Sequence, residues 1–164
     1  KVAKMMGLPY PGGVYIDRLA QGANGGSLSL PRPILKRGLD FSFSGLKTAA
    51  RLHLESLGET PAEADRIDLA ASVQEAIVDV LCTKSLAACK AEGVNDLVIA
   101  GGVACNSRLR ELIQTRADSA GVRAHLTPAR YCTDNAAMIA SAAYHQFQQP
   151  TSLKPVHDQP NLSL

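Results

Sequence analysis

Leu97-Val-Ile-Ala-Gly-Gly-Val-Ala-Cys-Asn-Ser-Arg-Leu-Arg110 reads as a buried apolar strand, a turn carrying two glycines and the start of a helix. A strand that stops at paired glycines and turns straight into a helix lets an anion come close to the backbone. Unpaired N–H groups and the positive end of the helix dipole attract it, and Gly101 and Gly102 put no side chain in its way. The turn therefore points to a phosphate-bearing nucleotide. Gly-Gly after an apolar strand is also an ordinary βα connection, and both readings stand at this point. Asn106 has two readings as well: its amide can cap the helix, or it can offer a donor and an acceptor to a base, a ribose or a carboxylate.

Around this stretch the pattern predicts strand 96–100, helix 107–119, strand 122–127 and helix 135–147, a βαβα succession whose strands pair in parallel. Ligands of parallel sheets sit beyond the carboxyl ends of the strands, so Gly101 to Asn106 and Thr127 to Asn135 are expected at one edge. In the second loop Asp134 can serve as an N-cap carboxylate, which spacing favours, or supply one hard oxygen to a metal. Upstream, a long helix over 66–92 carries Leu69, Val73, Ala76, Ile77, Val80 and Leu81 on one stripe and ends at Gly93. Phe41 and Phe43 alternate as a short strand running into a helix to about Leu57, with Ser44 as its cap. Val14 to Ala20 forms a short helix, and residues 24–40 are mostly loop. The expected fold class is α/β, a short parallel sheet flanked by several helices. Residues 1–147 form one lobe, with 24–65 a loop plus helical insertion, 66–147 an α-βα-βα core, and 148–164 an irregular tail.

The chain has 164 residues, 46% of them hydrophobic, enough for one core. No apolar run reaches the roughly 20 residues of a membrane helix and no signal-peptide order opens the chain, so a cytoplasmic protein with no membrane partner is expected. Cys82, Cys89, Cys105 and Cys132 show no CxxC pairing; they are expected as reduced thiols, with Cys105 and Cys132 packed as small side chains. The net charge of +2 hides a division: residues 1–51 carry eight Lys or Arg against Asp17 and Asp40. That basic end suits phosphate backbone contact better than base reading. Lys1 opens inside a helix-like segment, so a piece of a longer protein is expected.

Four segments in order, Lys1 to Gly13 (KVAKMMGLPYPGG), Asp40 to Thr48 (DFSFSGLKT), Val98 to Asn106 (VIAGGVACN) and Cys132 to Ala140 (CTDNAAMIA), together resemble the carboxyl-terminal half of the TsaD, or glycoprotease-like, family. The resemblance runs to about Phe147. It implies a tRNA adenosine threonylcarbamoyltransferase, an acyltransferase that moves threonylcarbamoyl from threonylcarbamoyl-adenylate to the adenosine next to the anticodon of ANN-reading tRNAs. The implied fold is part of an actin-like ATPase, or ribonuclease-H-like, architecture. Carried over residue by residue, Gly13, Asp17 and Asn106 are expected to contact substrate, with Gly101 and Gly102 admitting phosphate or adenylate, and Asp134 is expected to bind metal. No residue is assigned as catalytic. Without the resemblance, Asp17 reads as a solvated carboxylate on a short helix.

The implied cofactor is one divalent metal, iron ahead of zinc, with ATP or threonylcarbamoyl-adenylate as ligand. The family completes the metal site with an HxxxH pair that His53, His125, His145 and His157 do not form, so the site is expected to be incomplete here and the isolated chain inactive. His125 and His145 read as structural. Implied partners are tRNA and TsaB-like and TsaE-like proteins. Two other classes stay open: an ATPase or small-molecule kinase of the same superfamily, against which DFSFSGLK argues, and a noncatalytic scaffold paralogue, against which Asn106 and Asp134 argue. The old protease label finds no Ser/His/Asp or Cys/His set and no HExxH.

Overall fold

In a computed structural model, described for residues 1–148, the elements are α1 (Val2–Met5), α2 (Gly12–Ala20), α3 (Ser44–Ser56), α4 (Glu63–Glu92), β1 (Asp96–Ile99), α5 (Ser107–Ala120), β2 (Arg123–Leu126) and α6 (Ala136–Phe147). One-turn 3-10 segments, Gly102–Cys105 and Ala129–Tyr131, follow the two strands. β1 and β2 pair in parallel, Asp96 opposite Arg123 and Ile99 opposite Leu126, which makes this a mixed α/β fold with a short parallel sheet. The expected tail, 148–164, lies outside the described residues except for Gln148.

Helix α4 is the spine. Glu63 and Asp65 sit in its first turn and Lys90 in its last, each on the favourable side of the dipole, and Gly93 ends it at φ 65° with its N–H on the Cys89 carbonyl. The expected single stripe is a correction: between Leu69 and Val80 the buried residues run most of the way round. The reason is that two cores share the helix. Leu69, Ala70, Val73 and Ala76 pack with Met6, Leu30, Leu46 and Ala50, whereas Val78 and Cys82 pack with Leu109 and Ile113 of α5 and with Leu97, Ile99 and Leu126 of the sheet. A helix gripped from both sides keeps only a narrow polar edge in the middle, the half-buried Glu75 and Asp79, each paired with arginine. Ile77 and Leu81 are only half-buried, the first against one core and the second against the other.

Other expectations also change. β1 is not a buried strand: Leu97 and Ile99 face α4 and α5, but Val98 is 68% exposed because no described element covers the outer face. Phe41 and Phe43 form no strand. Their rings stack at 6.5 Å and 10°, Phe43 packing on the first core and Phe41 half in solvent, so the alternation records a stacked pair and not a ladder. Ser44 is the first residue of α3 and makes no capping bond; Phe43 holds the cap position. Helix α2 begins two residues early, at Gly12, where a Cβ would collide with Ala3 of α1. That close approach gives the first glycine of the Gly12-Gly13 pair a packing reason.

Candidate functional site

The two cores divide α4 between Ile77 and Val78, and about one turn before that boundary the start of α5 meets Gln74, with α2 packed alongside. Asp17 of α2 and Asn106 at the start of α5 are thereby brought together from 89 residues apart: Asn106 Nδ2 donates to Asp17 Oδ1 at 3.1 Å. The same nitrogen donates to Gln74 Oε1 at 2.7 Å, while Asn106 Oδ1 accepts the Leu109 N–H at 2.9 Å and caps α5. Both amide hydrogens and one oxygen lone pair of Asn106 are therefore used inside the protein.

Asp17 is not the solvated carboxylate that spacing alone implied. Its Oδ1 accepts from Ser107 Oγ at 2.7 Å, and both its oxygens lie 3.3 Å from the Ser107 N–H. The positive end of α5 thus already holds an anion, the protein's own Asp17, and this changes the opening expectation about where a phosphate can sit. A second change concerns the chain between strand and helix. The turn does not pass straight into α5 but through the 3-10 segment Gly102–Cys105, with Gly101 at φ 86°. Gly101 and Gly102 are exposed, and a Cβ at either would meet nothing within 4 Å. Gly101 is required by its backbone; Gly102 is required by nothing in the chain and leaves an open approach. Gly13 is likewise exposed with open space around it.

The loops after β1 and β2 leave the same sheet edge, as the parallel pairing demands. Arg110 ties them, its guanidinium donating to the Ala104 carbonyl at 2.9 Å and the Thr127 carbonyl at 3.1 Å. Asp134 is exposed and is not the cap of α6. Asn135 is: its Oδ1 accepts the Met138 N–H at 3.0 Å. Among the described residues no group of three or more His, Cys, Asp or Glu side chains could hold a metal. Asp134 alone does not fit a divalent ion. His125 sits on the open sheet face, its Nε2 2.7 Å from Asp96 Oδ1, and hydrogen bonds from His125 and Arg123 hold that carboxyl below the usual range.

Beside the Asp17–Asn106 pair opens a cleft of about 690 Å³, walled by Gln74 and Glu75, by Ser107 and Arg108, and by the loop Gly22–Gly26. Gly25 lies against Glu75 so closely that a Cβ would displace that side chain. Arg108 pairs with both Glu75 oxygens, Nε at 2.7 Å and Nη2 at 3.1 Å, and these bonds raise its pKa. None of the six expected site residues lines this cleft; Ser107 and Gln74, partners of Asp17 and Asn106, do.

A family model described as tRNA N6-adenosine threonylcarbamoyltransferase, TsaD, matches residues 1–141. The chain belongs to the TsaD family. Among TsaD relatives, a tRNA N6-adenosine threonylcarbamoyltransferase of Variovorax paradoxus is 51% identical over 149 residues, covering 90% of this chain and 42% of the relative. One of Polaromonas naphthalenivorans is 49% identical over 149 residues with the same shares, and one of Methylibium petroleiphilum 50% over 149 residues, covering 43% of its length. The chain thus spans less than half the length of these TsaD relatives.

Sequence reasoning missed Gln74 and Ser107, which bond Asn106 and Asp17, and Arg110, which ties the two loops. For Gln74 the signal was weak: it is one of four polar residues, with Ser72, Glu75 and Asp79, in the Leu69–Val80 stretch. Ser107 could have been read as a second polar side chain at the helix start, after Asn106. Nothing local marks Arg110, whose acceptors are two main-chain carbonyls.

Proposed function

We propose that the protein to which this chain contributes a carboxyl-terminal part transfers threonylcarbamoyl from threonylcarbamoyl-adenylate to the exocyclic amine of the adenosine beside the anticodon in ANN-reading tRNAs. In that acyl transfer the amine nitrogen forms a bond to the carbamoyl carbon, the bond from that carbon to the phosphate oxygen breaks, AMP leaves and the amine loses a proton. What supports this reading is the likeness at about 50% identity to relatives of that printed name. The meeting of Asp17 and Asn106 at 3.1 Å supports it too, since the resemblance marks both for substrate contact.

In this reading the open backbone at Gly101 and Gly102 receives the phosphate, and Gly13 lets the nucleotide approach α2 closely. Asp17, oriented by Ser107 and Asn106, accepts a hydrogen bond from a substrate hydroxyl or amine. Asn106 acts mainly by holding Asp17 and the start of α5 in place, with one Oδ1 lone pair to spare. The divalent ion, iron ahead of zinc, needs ligands beyond Asp134 from outside the described residues, and no step here runs through it. The architecture is proposed to be one lobe of an actin-like ATPase fold, acting in the cytoplasm with tRNA and with TsaB-like and TsaE-like proteins. No described helix is long and apolar enough to cross a membrane.

Calorimetric titration of the 164-residue chain with a non-hydrolysable threonylcarbamoyl-adenylate analogue tests the reading. Saturable binding, weakened in Gly102→Val and Asp17→Ala, is expected, together with no tRNA modification by the chain alone. No saturable binding up to millimolar analogue overturns the nucleotide reading.

A further inference from the structure

We infer that Gln74 is a positioning residue for this site, locking the Asn106 amide in the one orientation that serves α5 and Asp17 together. A side-chain amide is nearly symmetric in shape, so packing alone does not tell its oxygen from its nitrogen. Hydrogen bonding does. As found, Oδ1 faces the Leu109 N–H, and Nδ2 faces two acceptors, Asp17 Oδ1 and Gln74 Oε1. Turned by 180°, the amide would set N–H against the Leu109 N–H and oxygen against a carboxylate and a carbonyl. Gln74 supplies the shorter of the two nitrogen contacts, 2.7 Å against 3.1 Å, from a side chain only 7% exposed.

The geometry also explains why a polar residue is buried at this point of α4. Its neighbours Val73 and Ala76 are part of the apolar core, and a buried amide there is stable only with a partner. Gln74 finds that partner in Asn106, and Asn106 in turn orders Asp17. Remove the acceptor and one Asn106 N–H is stranded beside the helix start. The side chain is then free to rotate, and Asp17 loses the donor that, with Ser107, keeps its carboxylate at the mouth of α5. The effect on ligand affinity rests on the nucleotide reading above; the effect on Asn106 does not.

The experiment compares the parent 164-residue chain with Gln74→Met, which keeps length but has no acceptor oxygen, and Gln74→Glu, which keeps the acceptor. The first readout is hydrogen exchange and chemical shift of the Asn106 side-chain amide by NMR. Exchange is expected to be about tenfold faster in Gln74→Met and to return toward the parent in Gln74→Glu. The second is affinity for the adenylate analogue, expected to fall about fivefold in Gln74→Met and to recover in Gln74→Glu. Unchanged Asn106 exchange in Gln74→Met overturns the inference. Should Gln74→Met fail to fold, the Asn106 amide shifts in Gln74→Glu decide: a carboxylate acceptor must move at least one Nδ2 hydrogen downfield, and no movement overturns it. If the parent binds no analogue, the functional reading falls while the exchange result still judges Gln74.

Discussion

Asn106 and Asp17, 89 residues apart in the chain, are joined by a 3.1 Å hydrogen bond at the N-terminus of α5, where Asp17 supplies the negative charge that the helix end attracts. Because this pair also holds two helices together, any ligand contact there is coupled to local stability, and the substitutions below separate the two.

Asn106→Ala removes the cap of α5, leaving the Leu109 N–H and Gln74 Oε1 without a partner, while Asp17 keeps only its Ser107 bonds. A loss of about 1–2 kcal/mol is expected from the cap and lost bonds, read by urea denaturation. Asn106→Asp keeps the cap oxygen but sets a carboxylate 3 Å-class distances from Asp17, so it should be less stable than the parent at neutral pH and regain ground on acidification. Equal stability of Asn106→Ala and parent would remove the structural half of this account.

Gly101 and Gly102 should respond differently to alanine. Gly101 sits at φ 86°, so Gly101→Ala is expected to cost about 1–2 kcal/mol. Gly102 has no such backbone demand and open space where a Cβ would go. Gly102→Ala should therefore unfold with the parent, within about 0.5 kcal/mol, and any loss of analogue affinity in it reports on ligand approach. Thermal denaturation beside calorimetry makes the comparison.

Asp79 lies between Arg116, at 2.7 Å, and Arg32, at 2.6 Å. Burial alone would raise its pKa, but the Arg116 hydrogen bond and the charges of Arg116 and Arg32 outweigh it and hold the carboxyl below its ordinary 3.8. A folded value depressed in this way stabilises the protein above the unfolded pKa, and that contribution drains as pH falls through 3.8 toward the folded value. Asp79→Asn should cost about 1–3 kcal/mol at pH 7, and its gap from the parent should close below pH about 4. A gap unchanged between pH 7 and pH 3 in denaturant titrations contradicts this.

Lys84 is 2% exposed and its Nζ donates to the Arg37 and Gly38 carbonyls at 3.1 and 2.9 Å, clasping the basic segment before α3 to the spine. Lys84→Met leaves both carbonyls without that donor. Faster amide exchange over residues 36–43 is expected, with α5 unaffected; protection unchanged in both places would show that the clasp holds nothing.

Thiol reactivity should follow burial. Cys82 is pushed up to about 11 by burial and Cys132 is raised by burial and by the neighbouring Cys105 thiol, whereas Cys105 is exposed. Cys105, expected from the sequence to pack as a small side chain, should be alkylated first by iodoacetamide at pH 8, as peptide mass mapping would show.

Much of the layout was legible in the chain itself. The parallel strands, α5, α6 and the long helix ending at Gly93 came within a few residues of their places, because apolar periodicity and a left-handed glycine are local signals. The one-stripe reading of α4 failed because periodicity records that a face is apolar, not how many partners grip it. Phe41 and Phe43 misled because alternate residues also lie on one side of an extended turn, where two rings can stack without a ladder. The cap of α6 was misplaced by one residue, Asp134 for Asn135, since both residue types cap and only backbone dihedrals choose between them.

By itself, then, the sequence determined the family, the two-strand parallel pairing and the identities of Gly13, Asp17, Gly101, Gly102, Asn106 and Asp134 as residues of interest. All of that is carried by local pattern and motif. Only the tertiary structure decided that Asp17 occupies the end of α5, that Gln74 orients Asn106 and that Arg110 ties the two loops. Those relations join residues far apart in the chain that packing brings into contact, and hydrogen-bond partners set by packing leave no trace in the spacing of either residue.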